Sequence, residues 1–137
     1  RSYVTFDRSN QPSAANSWVE LPPDFSILNP SSNSSVSRSG TVTLQWSDFD
    51  NVSIMKLDIG AVCDGVRYPA SINFGIVNTG SIVLSSADYF PVTPLSTSNC
   101  SVSFLLKRQS LGFVSPAFGG GTFEGIQQRM VQFTSIP

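Results

Sequence analysis

The hydrophobic positions of this chain recur in twos. "TVTLQW" places Val42, Leu44 and Trp46 on one face and Thr41, Thr43 and Gln45 on the other. "VSIMKLDIGAVC" gathers Met55, Leu57, Ile59, Ala61 and Cys63, with Lys56 and Asp58 pointing away. That period belongs to a strand, because successive side chains leave the pleated backbone on opposite sides. The same alternation marks "SYVTFDR" (Val4, Phe6), "YPASINFGIV" (Ile72, Phe74, Ile76) and "SIVLSS" (Ile82, Leu84). It returns in "CSVSFLLKR" (Cys100, Val102, Phe104, Leu106) and "RMVQFTSIP" (Val131, Phe133). "SWVELP" follows the first run across a polar turn and is expected to pair with it as a hairpin. "DFSILNP" comes next, stopped by Pro30 and by "SSNSSVSRSG", read as a flexible serine tract. Turn-forming clusters separate the runs: "DFDN", "NTG", the proline-rich "YFPVTPLSTSN" and the glycine-rich "SPAFGGGTFEG". Helical periodicity is almost missing. About eight or nine short strands at this spacing predict an all-β, antiparallel β-sandwich, with residues 1–137 as one domain.

Composition narrows the class. A chain of 137 residues is long enough to bury a proper core. Only 12% of it is charged, against roughly 25% in ordinary soluble domains. Ser, Thr, Asn and Gln supply the polar surface instead, a balance commoner in exported β-proteins than in cytosolic enzymes. A net charge of −1 offers no basic field to nucleic acid or anionic lipid. No apolar run approaches the roughly 18 residues that cross a membrane, so no membrane insertion is expected. "RSYVTFDRSN" has no apolar signal-peptide core, so an exported form is expected to have shed its leader. Histidine is absent, which excludes a Ser–His–Asp triad, a Cys–His nucleophile and the familiar zinc ligand sets.

From Phe25 to Pro137 the order of these runs resembles an immunoglobulin-like sandwich, nearest to the fibronectin type III arrangement. "TVTLQW" resembles its second strand, with the buried Trp at the end, and "IMKLDI" its third. "SIVLSS" resembles the fifth, "CSVSFLLKR" the sixth and "MVQFTSIP" the last. Antibody-type domains place a Cys before the Trp, whereas both cysteines here follow it. Residues 1–21 form an extra N-terminal hairpin or arm outside the pattern, and 25–137 the sandwich. The resemblance implies an architecture and little about function.

That strand order bears on the two cysteines. In such a sandwich the third and sixth strands are antiparallel neighbours, so Cys63, ending one, lies beside Cys100, beginning the other. Both share the inward parity of their own strands, as a bridge between paired strands requires. The implied register sets Ile59 opposite Phe104 and Leu57 opposite Leu106. A metal site wants more ligands than two Cys and no His, and a redox dithiol usually shows C-x-x-C. Two free buried thiols in a cytosolic protein are the competing reading. The disulfide implies an oxidising compartment: extracellular, cell-surface or periplasmic.

Candidate chemistry is sparse. "SDFDN" (Asp48 to Asn51) begins like a calcium loop but lacks the central Gly and closing Glu, so a turn is expected. The acids Asp7, Glu20, Asp24, Asp48, Asp50, Asp58, Asp64, Asp88 and Glu124 are scattered at strand ends and turns, with nothing to make two of them a glycosidase pair. "GGG" at 119–121 lacks the Lys-Ser/Thr of a phosphate loop and reads as a hairpin tip. Asn33, Asn51 and Asn99 each begin an N-x-Ser sequon, candidate glycosylation sites in a glycosylating cell. Trp18, Tyr68, Tyr89, Phe113, Phe118 and Phe123 are candidates for a carbohydrate platform, with Trp18 the foremost ligand contact; Trp46 belongs to the core by parity. No cofactor or catalytic set can be assembled. The expected function is a non-enzymatic structural or interaction module of an exported or cell-surface protein, partnered by other subunits or by copies of itself. In its sharpest form, residues 1–21 exchange between copies to build a filament. The alternative is a carbohydrate-binding or adhesive domain, which an exposed row of Trp18 and tyrosines would favour.

Overall fold

A computed structural model describes residues 2–6, 14–90 and 98–137; the side chains of residues 2, 4–6, 14–16 and 68–74 lie outside the description. Ten strands are found among the described residues: β1 (Ser2–Phe6), β2 (Ala14–Val19), β3 (Ile27–Asn29), β4 (Ser35–Ser37), β5 (Thr41–Trp46), β6 (Ile54–Cys63), β7 (Val66–Val77), β8 (Ser81–Ser85), β9 (Cys100–Leu111) and β10 (Glu124–Ile136). One helical turn, α1 (Ser86–Tyr89), follows β8. The fold is all-β and mostly antiparallel, with a β-sandwich-like pair of sheets. One sheet has the order β4-β10-β9-β6-β7, the other β3-β5-β8, and β1 pairs separately with β2. The chain forms two compact units, Arg1–Asp24 with Arg108–Gln127, and Phe25–Lys107 with Gln128–Pro137. Residues 108–127, read from sequence as strand and glycine-rich connection, cluster with the N-terminal hairpin.

In the larger unit, alternation and burial agree residue by residue. Val42, Leu44, Trp46 and Leu84 from the three-stranded sheet, and Met55, Leu57, Ile59, Val102, Phe104, Leu106, Val131 and Phe133 from the five-stranded sheet, join one buried core. The β6–β7 hairpin turns at Asp64 and Gly65, both with positive φ (49° and 77°), the two-residue geometry that suits the strand twist and that Asp-Gly adopts. Ile76 is buried as expected. The expected inward faces of Ile72 and Phe74, and of Val4 and Phe6, lie outside the described side chains.

Cys63 and Cys100 are disulfide-bonded, with Cα atoms 4.2 Å apart. Ser103 Oγ donates to the Gly60 carbonyl at 3.4 Å, and this pair stands opposite in the register that sets Cys63 against Cys100. A Cβ on Gly60 would stand 3.1 Å from that hydroxyl.

Two elements depart from the sequence reading. Within the tract expected to be flexible, β4 runs parallel to β10 (Ser35 opposite Thr134, Ser37 opposite Ile136). Backbone hydrogen bonds hold it, so no apolar alternation announces it. The turn α1 is short enough to escape any periodicity. Its Asp88 carboxylate accepts from the Ser85 amide at 2.6 Å and the Ser85 hydroxyl at 2.8 Å, a cap of the kind that starts a helix.

Reduction of the cystine, or a Cys63→Ser/Cys100→Ser double variant, is expected to lower stability by about 4 kcal/mol, the chain-entropy value for a loop of this length. Urea denaturation of the oxidised and reduced protein checks it; an unchanged midpoint would remove the staple from the fold's energetics.

Candidate functional site

The smaller unit brings three aromatic residues into line. Tyr3 of β1 stands opposite Trp18 of β2, and Trp18 is bridged on its other side to Phe113. That bridge has both hydrogen bonds of an antiparallel pair, Trp18 N–H to Phe113 O at 2.9 Å and Phe113 N–H to Trp18 O at 2.8 Å. Directly opposed residues share a face, and neighbouring strands lie about 4.8 Å apart. Tyr3, Trp18 and Phe113 therefore form a row across the strands. Tyr3 is 65% and Phe113 48% exposed, and Trp18 is partly exposed. Ser17 and Val19, the neighbours of Trp18 on β2, are buried, as alternation demands.

Close packing fixes the row. A Cβ on Gly112 would lie 2.2 Å from the Trp18 carbonyl oxygen, so the approach of β2 to this segment needs glycine. A Cβ on Gly125 would lie 2.7 Å from the Glu20 carbonyl oxygen. Buried Arg108 donates from Nη1 to the Pro23 carbonyl at 2.9 Å, and Ser110 Oγ donates to the Glu20 carbonyl.

A hollow of about 230 Å³ lies in the same unit, walled by Phe118, Phe123 and Val114, with Ser17, Thr122 and the Gly120–Gly121 backbone completing it. Ser17 and Val114 are next in sequence to Trp18 and Phe113, so alternation turns them to the face opposite the row. The connection that forms the hollow is pinned. Ser115 N–H donates to the buried Ser17 hydroxyl at 2.9 Å, Ser115 Oγ accepts from Ala117 N–H at 3.4 Å, and Gly112 N–H donates to Phe123 O at 2.6 Å.

The other sequence candidates separate from these. Tyr89 is 1% exposed and packs edge-on against Phe104 and Phe133 (centroids 6.1 and 6.2 Å), so it is a core residue and not part of a platform. Burial pushes its phenol up. The Tyr68 side chain and Asp7 lie outside the description. Tyr3 escaped the sequence reading, although putting Val4 and Phe6 on one face leaves it on the other, in reach of Trp18 once the hairpin register is known. Asn33, Asn51 and Asn99 are all exposed, Asn33 and Asn51 at positive φ. Among the described residues no three His, Cys, Asp or Glu converge.

"DFDN" is a turn. Asp50 Oδ1 accepts from the amides of Val52 (2.9 Å) and Ser53 (2.8 Å), which, with the Ser53 hydroxyl, lower its carboxyl from 3.8 to about 2. Beside it, buried Asn78 accepts from Trp46 Nε1–H at 2.6 Å and donates to Ser53 Oγ at 3.2 Å.

Comparison with protein-family models, with curated proteins and with solved structures gave no match.

A carboxyl whose folded value is depressed stabilises above its unfolded value and loses that contribution as pH falls through the folded one. The Val52 and Ser53 amide resonances should therefore hold their positions through pH 3.8 and move together near pH 2; movement centred near 3.8 would mean that the turn bonds are not formed. Gly112→Ala should separate β2 from Phe113 and cost about 1–3 kcal/mol, as overpacking does. Hydrogen exchange at the Trp18 and Phe113 amides reads it, and unchanged protection would contradict the close approach.

Proposed function

We propose that this chain is an immunoglobulin-like, fibronectin type III-like interaction module of an exported or cell-surface protein, which binds carbohydrate without catalysing a reaction. The observation that carries the reading is the row Tyr3–Trp18–Phe113. Its rings lie on one face of a small sheet, with both ends exposed. Sugar rings carry apolar C–H faces and polar rims, so a run of exposed ring faces holds the faces while the rims stay in water. Fixing the row in a backbone ladder limits the entropy lost on binding. The disulfide supports the compartment, since such bonds persist where the environment is oxidising. The arrangement β4-β10-β9-β6-β7 over β3-β5-β8 supports the immunoglobulin-like assignment. It places the strand carrying the core Trp in one sheet and the cystine-bridged pair in the other.

Strand exchange through residues 1–21 is not favoured by an observation of this kind. β1 is paired in antiparallel register with β2 of the same chain.

A glycan array with the intact, oxidised protein tests the proposal. Binding to neutral polysaccharides is expected, and Trp18→Ala should weaken it about tenfold or more, a loss of about 1.4 kcal/mol. No binding to any glycan, or binding indifferent to Trp18→Ala, would overturn it. Light scattering on the same sample should show a monomer; ordered fibres would restore assembly as the function.

A further inference from the structure

We propose that the hollow behind the aromatic row is a second site, which takes one neutral aromatic ring. Three features point to a ligand. The hollow is preformed, because the Ser115–Ser17 bond at one end and the Gly112–Phe123 bond at the other hold the connection open around it. Its walls are the side chains of Phe118, Phe123 and Val114, apolar surface of the kind that binding pockets present. Its rim is bare. Gly119, Gly120 and Gly121 have φ of 79°, 125° and 127°, yet a Cβ at any of them would meet nothing within 4 Å. Glycine is required there by backbone conformation and not by packing. With no side chain there, the edge of the hollow stays open to an entering group.

The size and lining choose the ligand class. At about 230 Å³ the space falls below the roughly 300–1,000 Å³ of sites for drug-sized molecules, so it suits a single ring. Among the described residues no charged side chain lines it, so none of them would compensate an ionic ligand stripped of water. A hexose also fits poorly, because each sugar hydroxyl buried without a partner costs free energy. Among the described residues the side chains of the hollow offer only the Ser17 and Thr122 hydroxyls, and Ser17 already accepts from Ser115. An aromatic ring bearing at most one or two polar atoms meets the phenylalanine faces by offset or edge-on packing. It leaves its polar atom for Thr122 or the glycine backbone. Such a ring can come from a free small molecule or from an aromatic side chain of a partner polypeptide, as anchor residues in interface pockets do.

The site differs from the proposed carbohydrate row in face and in ligand, so each can fail alone. Indole is titrated into the intact, oxidised protein and followed by amide and methyl NMR. N-acetyl-tryptophanamide and methyl glucoside are titrated in parallel. Expected are saturable indole shifts at Val114 and at residues 118–123, retained in Trp18→Ala and lost in Thr122→Phe, whose new ring fills the hollow from its exposed edge. Phe123→Leu, which keeps most of the volume but removes a ring face, should weaken the response several-fold. It serves as the second variant should Thr122→Phe misfold; unchanged hydrogen-exchange protection at the amides of residues 18 and 113 reports an intact smaller unit. Tighter binding of N-acetyl-tryptophanamide than of indole assigns the ring to a polypeptide partner, and the reverse order assigns it to a small molecule. Absence of saturable shifts at these residues, their persistence in Thr122→Phe, or methyl glucoside binding there in place of indole would overturn the site.

Discussion

Between Cys63 and Cys100 a covalent bond joins the end of one core strand to the start of its neighbour. Most of the larger unit's interior hangs from that pair. Met55, Leu57, Ile59 and Ala61 on β6 and Val102, Phe104 and Leu106 on β9 are all buried, and their parity is set from the bridged ends. A one-residue slip of either strand would turn its row outward and bring Lys56 or Ser103 into the core. The bridge forbids that slip covalently. It also restricts the unfolded chain, which matters in a protein whose surface has few charges to form ion-pair networks. Lys107 and Asp58, 2.5 Å apart on the outer face of the same two strands, add a pair of the kind that contributes little when it stands near water.

A few side chains act for the backbone inside the larger unit, around the tryptophan of its core. Trp46 ends β5 in the core at 1% exposure, and its indole N–H would be costly there without an acceptor. Asn78, in the turn between β7 and β8, supplies one, and its backbone joins Asn51 and Ser53 through both N–H and C=O (2.8 and 2.9 Å). The turn that looked from sequence like the start of a calcium loop is thereby tied to the tryptophan of the core. Its carboxylate at Asp50 is occupied by amides of its own turn, leaving that oxygen committed to shaping the loop. At the β8 end, Asp88 likewise caps α1, and the cap places Tyr89 among Phe104 and Phe133. A residue that composition alone offers to a ligand is thus consumed by packing.

What could be read in advance follows from where the information resides. β5, β6 and β9 carry strict alternation with large apolar residues, and for these the strand, the face and the cystine partner were all legible before the structure. β4 was not, because Ser35–Ser37 is held by main-chain bonds to β10 and its only apolar side chain is Val36. β10 begins earlier than "RMVQFTSIP" suggests, since Glu124–Gln128 is mostly polar and carries no apolar alternation. The candidate site divides in the same way. Trp18 and Phe113 could each be named as aromatic residues of interest, but their adjacency depends on pairing between residues far apart in the chain. Tyr3 needed the hairpin register, and the hollow needed the positive φ values of the glycine run. Alternation reports burial of a strand's own faces; it does not report which strand lies beside which.

The smaller unit obeys a different balance from the larger one. Leaving Tyr3 and Phe113 largely exposed forgoes much of the roughly 1.5–3 kcal/mol that burying a large apolar side chain can contribute. Two glycines, Gly112 and Gly125, are spent on bringing backbones close, and three more on a connection in conformations that other residues rarely adopt. A segment selected for stability alone would bury those rings and shorten that loop. Here the backbone is held firmly, by the Trp18–Phe113 bridge and the Ser115–Ser17 bond, while Tyr3 and Phe113 stay largely exposed. Rigid presentation of uncovered aromatic surface lowers the entropy lost when something else covers it. On the function proposed above, the residues that weaken this unit as a fold are the ones that would equip it to bind.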